Sequence, residues 1–108
     1  MAKLTLILLA CDDPDIWSVF ERALRAAGYA AANANSPEML DKALLESSPS
    51  LVIVSETLGE ASGLSLSAQI LDRFPTLPVL VLCKEESAQI YAQALELGLH
   101  GCLILNTQ

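Results

Sequence analysis

The chain has 108 residues, enough for one domain around one core, so residues 1–108 are taken as a single unit. Hydrophobic residues make up 53% of it and aromatic residues only 5%, so the core must be built from Leu, Ile, Val and Ala. Thirteen acidic residues against six basic ones, a formal charge of −7, argue against nucleic-acid binding through phosphate neutralisation and against docking on anionic membrane surfaces.

The first apolar run, Leu4 to Ala10, has the near-continuous hydrophobicity of a strand covered on both faces, and an acidic pair, Asp12-Asp13, follows it. Ile16, Val19, Phe20, Ala23, Leu24 and Ala27 then recur at helical spacing. Asp13 is placed to cap that helix, Pro14 to open its first turn and Gly28 to end it. Tyr29 to Ala34, with small side chains and flanking asparagines, suits an edge strand. Ser36-Pro37 opens a second helix through Leu40, Ala43 and Leu44, and Pro49 follows its end. Leu51 to Val54 is a third strand, closed by Ser55. Leu66, Ile70 and Phe74 carry a third helix that stops at Pro75, and Leu77 to Leu82 forms a fourth strand. Ser87 caps a fourth helix, with Tyr91, Ala94 and Leu95 expected inward and Gly98 as its stop. Cys102 to Leu105 is the fifth strand.

The resulting β-α-β-α-β-α-β-α-β order predicts an open parallel sheet with right-handed crossovers and helices on both faces. No internal repeat, linker or low-complexity segment interrupts it. No apolar run exceeds about seven residues, far below the roughly 20 that span a bilayer, and the N-terminus has no signal-peptide cleavage pattern. Three unpatterned cysteines make neither a disulfide framework nor a zinc site, which points to a reducing cytoplasm.

In open parallel sheets, ligands sit at the carboxyl ends of the strands. Those ends carry Asp12 and Asp13, Ser55, Cys83, and Leu105 with Asn106. Three stretches give the layout a family likeness: ILLACDDPDIWSVFERALRAAGY with its acid pair before the first helix; SLVIVSETLGEASGL, in which Leu58 follows Ser55 by three and Gly63 by eight; and PVLVLC with ALELGLHGCLIL. On these, nearly the whole chain resembles the receiver domain of response regulators. That resemblance implies a flavodoxin-like, CheY-like three-layer sandwich with five strands in the order 2-1-3-4-5. It also implies a Mg²⁺-dependent phosphoacceptor site, in which two acids and an acceptor Asp hold the ion, a Ser or Thr bonds the phosphoryl group and a Lys neutralises it.

Carried across, the acid pair is kept as Asp12 and Asp13. The acceptor position is Ser55, the hydroxyl position Cys83 and the lysine position Leu105. Asn106 replaces the proline that usually follows that lysine, and Gly59 the proline usual in the loop after the acceptor. Serine cannot form an acyl phosphate and removes a ligand from a hard-cation site. Leu105 removes a stabilising charge, and Cys83 offers only a weak donor. Glu56, one residue along the strand, should point to the opposite side of the sheet. No cofactor is expected, and no metal beyond weak Mg²⁺ at Asp12 and Asp13; the plainer reading has Asp13 capping its helix and Asp12 facing water. Cys83 and Cys102 occupy the two positions that the resemblance couples in switching. A redox-sensitive pair is the sharper reading of them and buried small hydrophobes the plainer one. His100 has no second histidine to make a metal site, and Trp17 lies off the main stripe of the first helix.

Members of the resembled family continue into a fifth helix beside the first, and here only Asn106, Thr107 and Gln108 follow the fifth strand. The expectation is an N-terminal fragment of a longer signalling protein, with a homodimer through the open sheet face as the alternative cover. The leading functional reading is a non-enzymatic, phosphorylation-independent pseudo-receiver that regulates an attached or partner output domain by protein contact, through the fourth helix and fifth strand. The alternatives are an atypical phosphoaccepting receiver of a phosphorelay and, more weakly, a flavodoxin-like nucleotide or flavin binder. Against the last, no Gly-rich loop follows the first strand, where Cys11-Asp12-Asp13-Pro14 would repel phosphate.

Overall fold

The five apolar runs line up as one parallel sheet in a computed structural model that describes residues 4–105. In chain order the elements are β1 (Leu6–Ala10), α1 (Pro14–Ala26), β2 (Ala30–Ala34), α2 (Pro37–Ser47), β3 (Leu51–Ser55), β4 (Thr57–Leu58), β5 (Ala61–Ser62), α3 (Gly63–Arg73), β6 (Val79–Cys83), α4 (Ala88–Glu96) and β7 (Gly101–Ile104). The sheet order is β2-β1-β3-β6-β7. This is the expected 2-1-3-4-5 arrangement once the short antiparallel pair β4-β5 is set aside, and β2 lies at an edge as its small residues suggested.

Period-two alternation divides the core into two layers. Leu8 and Ala10 of β1, Val52 and Val54 of β3, and Val79 and Val81 of β6 point to one face. There Leu40 and Leu44 of α2, Ile70 of α3 and Ala94 of α4 cover them. Ile7, Leu9, Ile53 and Leu82 point to the other face, against Ile16, Trp17, Phe20 and Leu24 of α1. Trp17 is half-buried in this second layer. Among the described residues α1 is the only helix there, and none of its residues is fully buried.

Two inward assignments are corrected. The stripe on α1 is broader than the surface it covers: Val19 is 59% exposed, and Ala23 and Ala27 also face solvent. On α4, Tyr91 and Leu95 are 51% and 52% exposed, while Ala94 and Ile90 face the core. The row Ile90–Ala94 sits inside, and a row one residue on is turned by about 100° and faces out.

The helix starts follow from their caps. Asp13 Oδ1 accepts from the Asp15 amide at 2.9 Å and the Ile16 amide at 3.4 Å. Ser36 accepts from Met39 at 3.2 Å and Ser87 from Ile90 at 3.2 Å. Ser62, not anticipated, does the same for α3, accepting from Ser65 at 3.3 Å.

The β4-β5 hairpin is the one unforeseen element. Gly59 has φ 62° at the first central position of its two-residue loop, the conformation that a type II′ turn demands of that residue. Fully buried Leu58 pins the hairpin to the core. The chain then returns so closely to β3 that a Cβ on Gly63 would overlap the Ser55 carbonyl oxygen, and the Gly63 amide donates to the Glu56 carbonyl at 2.7 Å. No helix among the described residues is long and apolar enough to cross a membrane.

Candidate functional site

The carboxyl ends of β1, β3, β6 and β7 meet at one edge of the sheet, with Ala10 in register with Val54, Ser55 with Leu82 and Cys83 with Ile104. Parity of the strands splits the residues there into two groups on opposite sheet faces.

On the α1 side stand Cys11, Asp12, Asp13 and Ser55. Cys11 is buried, the Asp13 amide lies 3.5 Å from its Sγ, and the Ser55 hydroxyl stands against its thiol. Burial is the main reason the Cys11 thiol is pushed above its usual pKa; the Asp13 backbone contact opposes this, and the charges of Asp12 and Asp13 add to it. Asp13 spends its carboxylate on the helix cap, as expected. Asp12 is exposed but not idle: its Oδ2 accepts the Gly59 amide at 2.8 Å. Proline, which has no amide proton, could not make that bond.

Asn33 shapes the same loop. Its Nδ2 donates to the Leu9 carbonyl at 2.9 Å and to the Cys11 carbonyl at 3.1 Å, tying β2 to the end of β1. Pattern reading used Asn33 only as a mark of an edge strand. Its position opposite Leu9 is visible once the register is known.

Lys84 is the other residue that pattern reading passed over. It lines a cleft of about 320 Å³ with Ser55, Glu56 and Thr57, and a second of about 310 Å³ with Asp13, Asp15 and Leu105. A lysine thus lies beside the crevice from the end of β6, although the fifth-strand position holds Leu105. The available signal was its place one residue past Cys83.

On the opposite face, Glu56 Oε1 accepts the Lys84 amide at 3.2 Å and lies beside the Cys83 thiol, away from the acid pair as alternation required. The Cys83 thiol is pushed up to about 12, first by burial, then by the Glu56 carboxylate and by Cys102. The two cysteines are free, neighbouring and out of step by two residues, since Cys102 is in register with Val81 and Cys83 with Ile104. Diagonal sheet neighbours lie roughly 7–8 Å apart, beyond the usual Cα span of a disulfide. Both thiols floor a surface cavity of about 610 Å³ between α4 and β7, walled by Ala88, Tyr91 and Ile104.

Asp12 and Asp13 are bonded to backbone amides, Ser55 supplies a hydroxyl in place of a third carboxylate, and no group of three potential ligands comes together among the described residues. Asn106 lies outside the described residues.

The model of the response regulator receiver domain family matches residues 7–104. The chain belongs to that family. As a receiver domain it is a module of two-component signalling. Among solved structures it is similar to the chemotaxis protein CheY4 of Vibrio cholerae, at 19% identity and a TM-score of 0.86 over 98% of this chain and 90% of that one. It is also similar to a putative response regulator from Chloroflexus aurantiacus J-10-fl, at 25% identity and a TM-score of 0.87 over 94% of this chain and 85% of that one. A third likeness is to the signal receiver domain of an HD domain-containing protein from Pseudomonas fluorescens Pf-5, at 21% identity and a TM-score of 0.84, covering 94% and 82% of the two chains. No curated protein matches the chain. The fold is the CheY-like sandwich, with four helices among the described residues.

Proposed function

We propose that this receiver domain signals by protein contact and without phosphorylation. The observation that carries the reading is the state of the crevice. Ser55 stands at the end of β3 against the Cys11 thiol, and the two acids of the neighbouring loop after β1 each have one oxygen bonded to the chain's own amides. Such a site lacks the acceptor carboxylate that an acyl phosphate requires, and with it one of the three acids that would hold its cation. Residues 1–108 then act as one domain, without catalysis of their own, on an attached or partner output domain. The Pseudomonas fluorescens relative, a receiver domain of an HD domain-containing protein, is an instance of a receiver coupled to another domain. The sheet face with Leu80, Leu103 and Leu105, which among the described residues only α1 covers, is the surface through which a second copy would pair.

The test is incubation with acetyl phosphate and Mg²⁺, followed by intact-mass measurement. The expected result is no adduct; an added phosphoryl group, acid-stable or acid-labile, overturns the reading.

One observation favours the second reading, an atypical phosphoaccepting receiver. Lys84 lines clefts beside both Ser55 and Asp13, where it could meet phosphoryl oxygens. In that case the adduct forms and Lys84→Ala abolishes it.

A further inference from the structure

The cavity between α4 and β7 has a chemistry that the crevice does not use. Its floor is two thiols, Cys83 and Cys102, and its walls include Ala88, Tyr91 and Ile104. At about 610 Å³ it falls inside the roughly 300–1,000 Å³ range of ligand-binding clefts. Small floor residues give it depth, and sulfur makes favourable contacts with aromatic ring edges.

The surroundings extend this apolar patch. Tyr91 and Ile104 are each 51% exposed, and Leu95, one turn along α4 from Tyr91, is 52% exposed. Large apolar side chains grouped in this way on adjacent elements mark an interaction surface rather than scattered exposure. The charge around them has one sign. Residues 85–105 contain three glutamates, Glu85, Glu86 and Glu96, and no lysine or arginine. Glu85 and Glu86 stand on the cavity rim. The nearest cation in sequence, Lys84, lines the clefts beside Ser55 and Asp13 instead.

We infer that this groove binds a basic peptide segment of a partner protein, with one aromatic side chain seated on Cys83 and Cys102 and Lys or Arg residues beside it facing Glu85 and Glu86. This rests on the contact-based reading above and names the partner's chemistry. An aromatic anchor would fill the cavity against Tyr91 and Ile104 and supply most of the affinity. The rim charges would set on-rate and selectivity against acidic segments.

Selection of a random peptide library displayed on phage against the whole chain tests it. The expected consensus has one Trp, Phe or Tyr flanked by Lys or Arg. A synthetic peptide of that consensus should bind at least tenfold more weakly to Glu85→Lys/Glu86→Lys and to Ala88→Phe. The last change is at an exposed position whose new ring would close the cavity mouth, so it leaves the buried core untouched. Bound peptide should slow alkylation of Cys102 by N-ethylmaleimide at least fivefold. Failure to enrich any consensus, an acidic consensus, or binding that ignores both variants overturns the inference. Peptides that bind elsewhere on the domain would remove this groove and leave the contact reading standing, whereas phosphoryl labelling removes that reading without touching the peptide result.

Discussion

The Gly59 amide reaches across to the Asp12 carboxylate at 2.8 Å, joining the hairpin after β3 to the acid pair after β1. It is a bond within the chain that ties the turn of the hairpin to the loop carrying the acid pair. The positive φ of 62° that aims the amide is open to glycine at little cost and closed to proline.

Gly59→Pro therefore loses both the bond and the turn. Unfolding in urea should show a loss of about 2 kcal/mol. Asp12→Ala removes the same bond from the other side without disturbing the turn and should cost under about 1 kcal/mol, because the group is exposed. Equal losses in the two variants would mean that the turn itself contributes nothing.

Gly63→Ala is the more severe change. Its Cβ would overlap the Ser55 carbonyl oxygen, which is backbone and cannot move aside. A loss of about 3 kcal/mol or more, or failure to fold, is expected in thermal or urea melts. A melting temperature equal to the parent's would show that β3 and the start of α3 can separate freely.

Ser55→Asp should not restore phosphorylation. The new carboxylate would still have Leu105 at the fifth-strand position, and its neighbours Asp12 and Asp13 would remain bonded to Gly59, Asp15 and Ile16. Intact mass after acetyl phosphate and Mg²⁺ is expected to be unchanged. Strong labelling of this variant would assign to Lys84 the duty of the absent lysine.

Cys83 makes the fold sensitive to alkali. Its folded pKa is raised from 9.0 to about 12, so between those values the folded state keeps a proton that the unfolded chain has released. The contribution is fully present below pH 9 and is lost as pH rises towards 12, at up to about 1.4 kcal/mol per unit. Denaturant midpoints should fall over that window, and Cys83→Ala should flatten the fall. A parent midpoint that is level from pH 9 to 11 would contradict the burial and charge assigned to this thiol.

The sheet was legible because its strands are buried on both faces and their hydrophobicity is nearly continuous, and three helix caps were legible because Asp13, Ser36 and Ser87 stand directly before apolar periodicity. The hairpin escaped because two-residue strands have no period to detect, although the Gly59-Glu60 pair between them was a turn signal. Tyr91 and Leu95 were placed inward because spacing identifies a row on a helix without saying which of two adjacent rows meets the sheet; small Ala94 decides that in the folded chain. In the crevice, the residues at the strand ends were foreseen, but their bonds were not. Asn33 to Leu9 and Gly59 to Asp12 link positions 24 and 47 residues apart, and only the register brings them together.

The Asn33 amide has a wider meaning for how such a domain could be controlled. It fixes the loop after β1 by gripping the Leu9 and Cys11 carbonyls, so the acid pair is held in place by a group that no phosphatase, kinase or ion can add or remove. A ligand shifts a conformational equilibrium only by its unequal affinity for the two states. With the crevice organised from within, the proposed signalling would depend on abundance, on tethering and on which partner is present, and the memory of a past stimulus would have to be stored in another molecule.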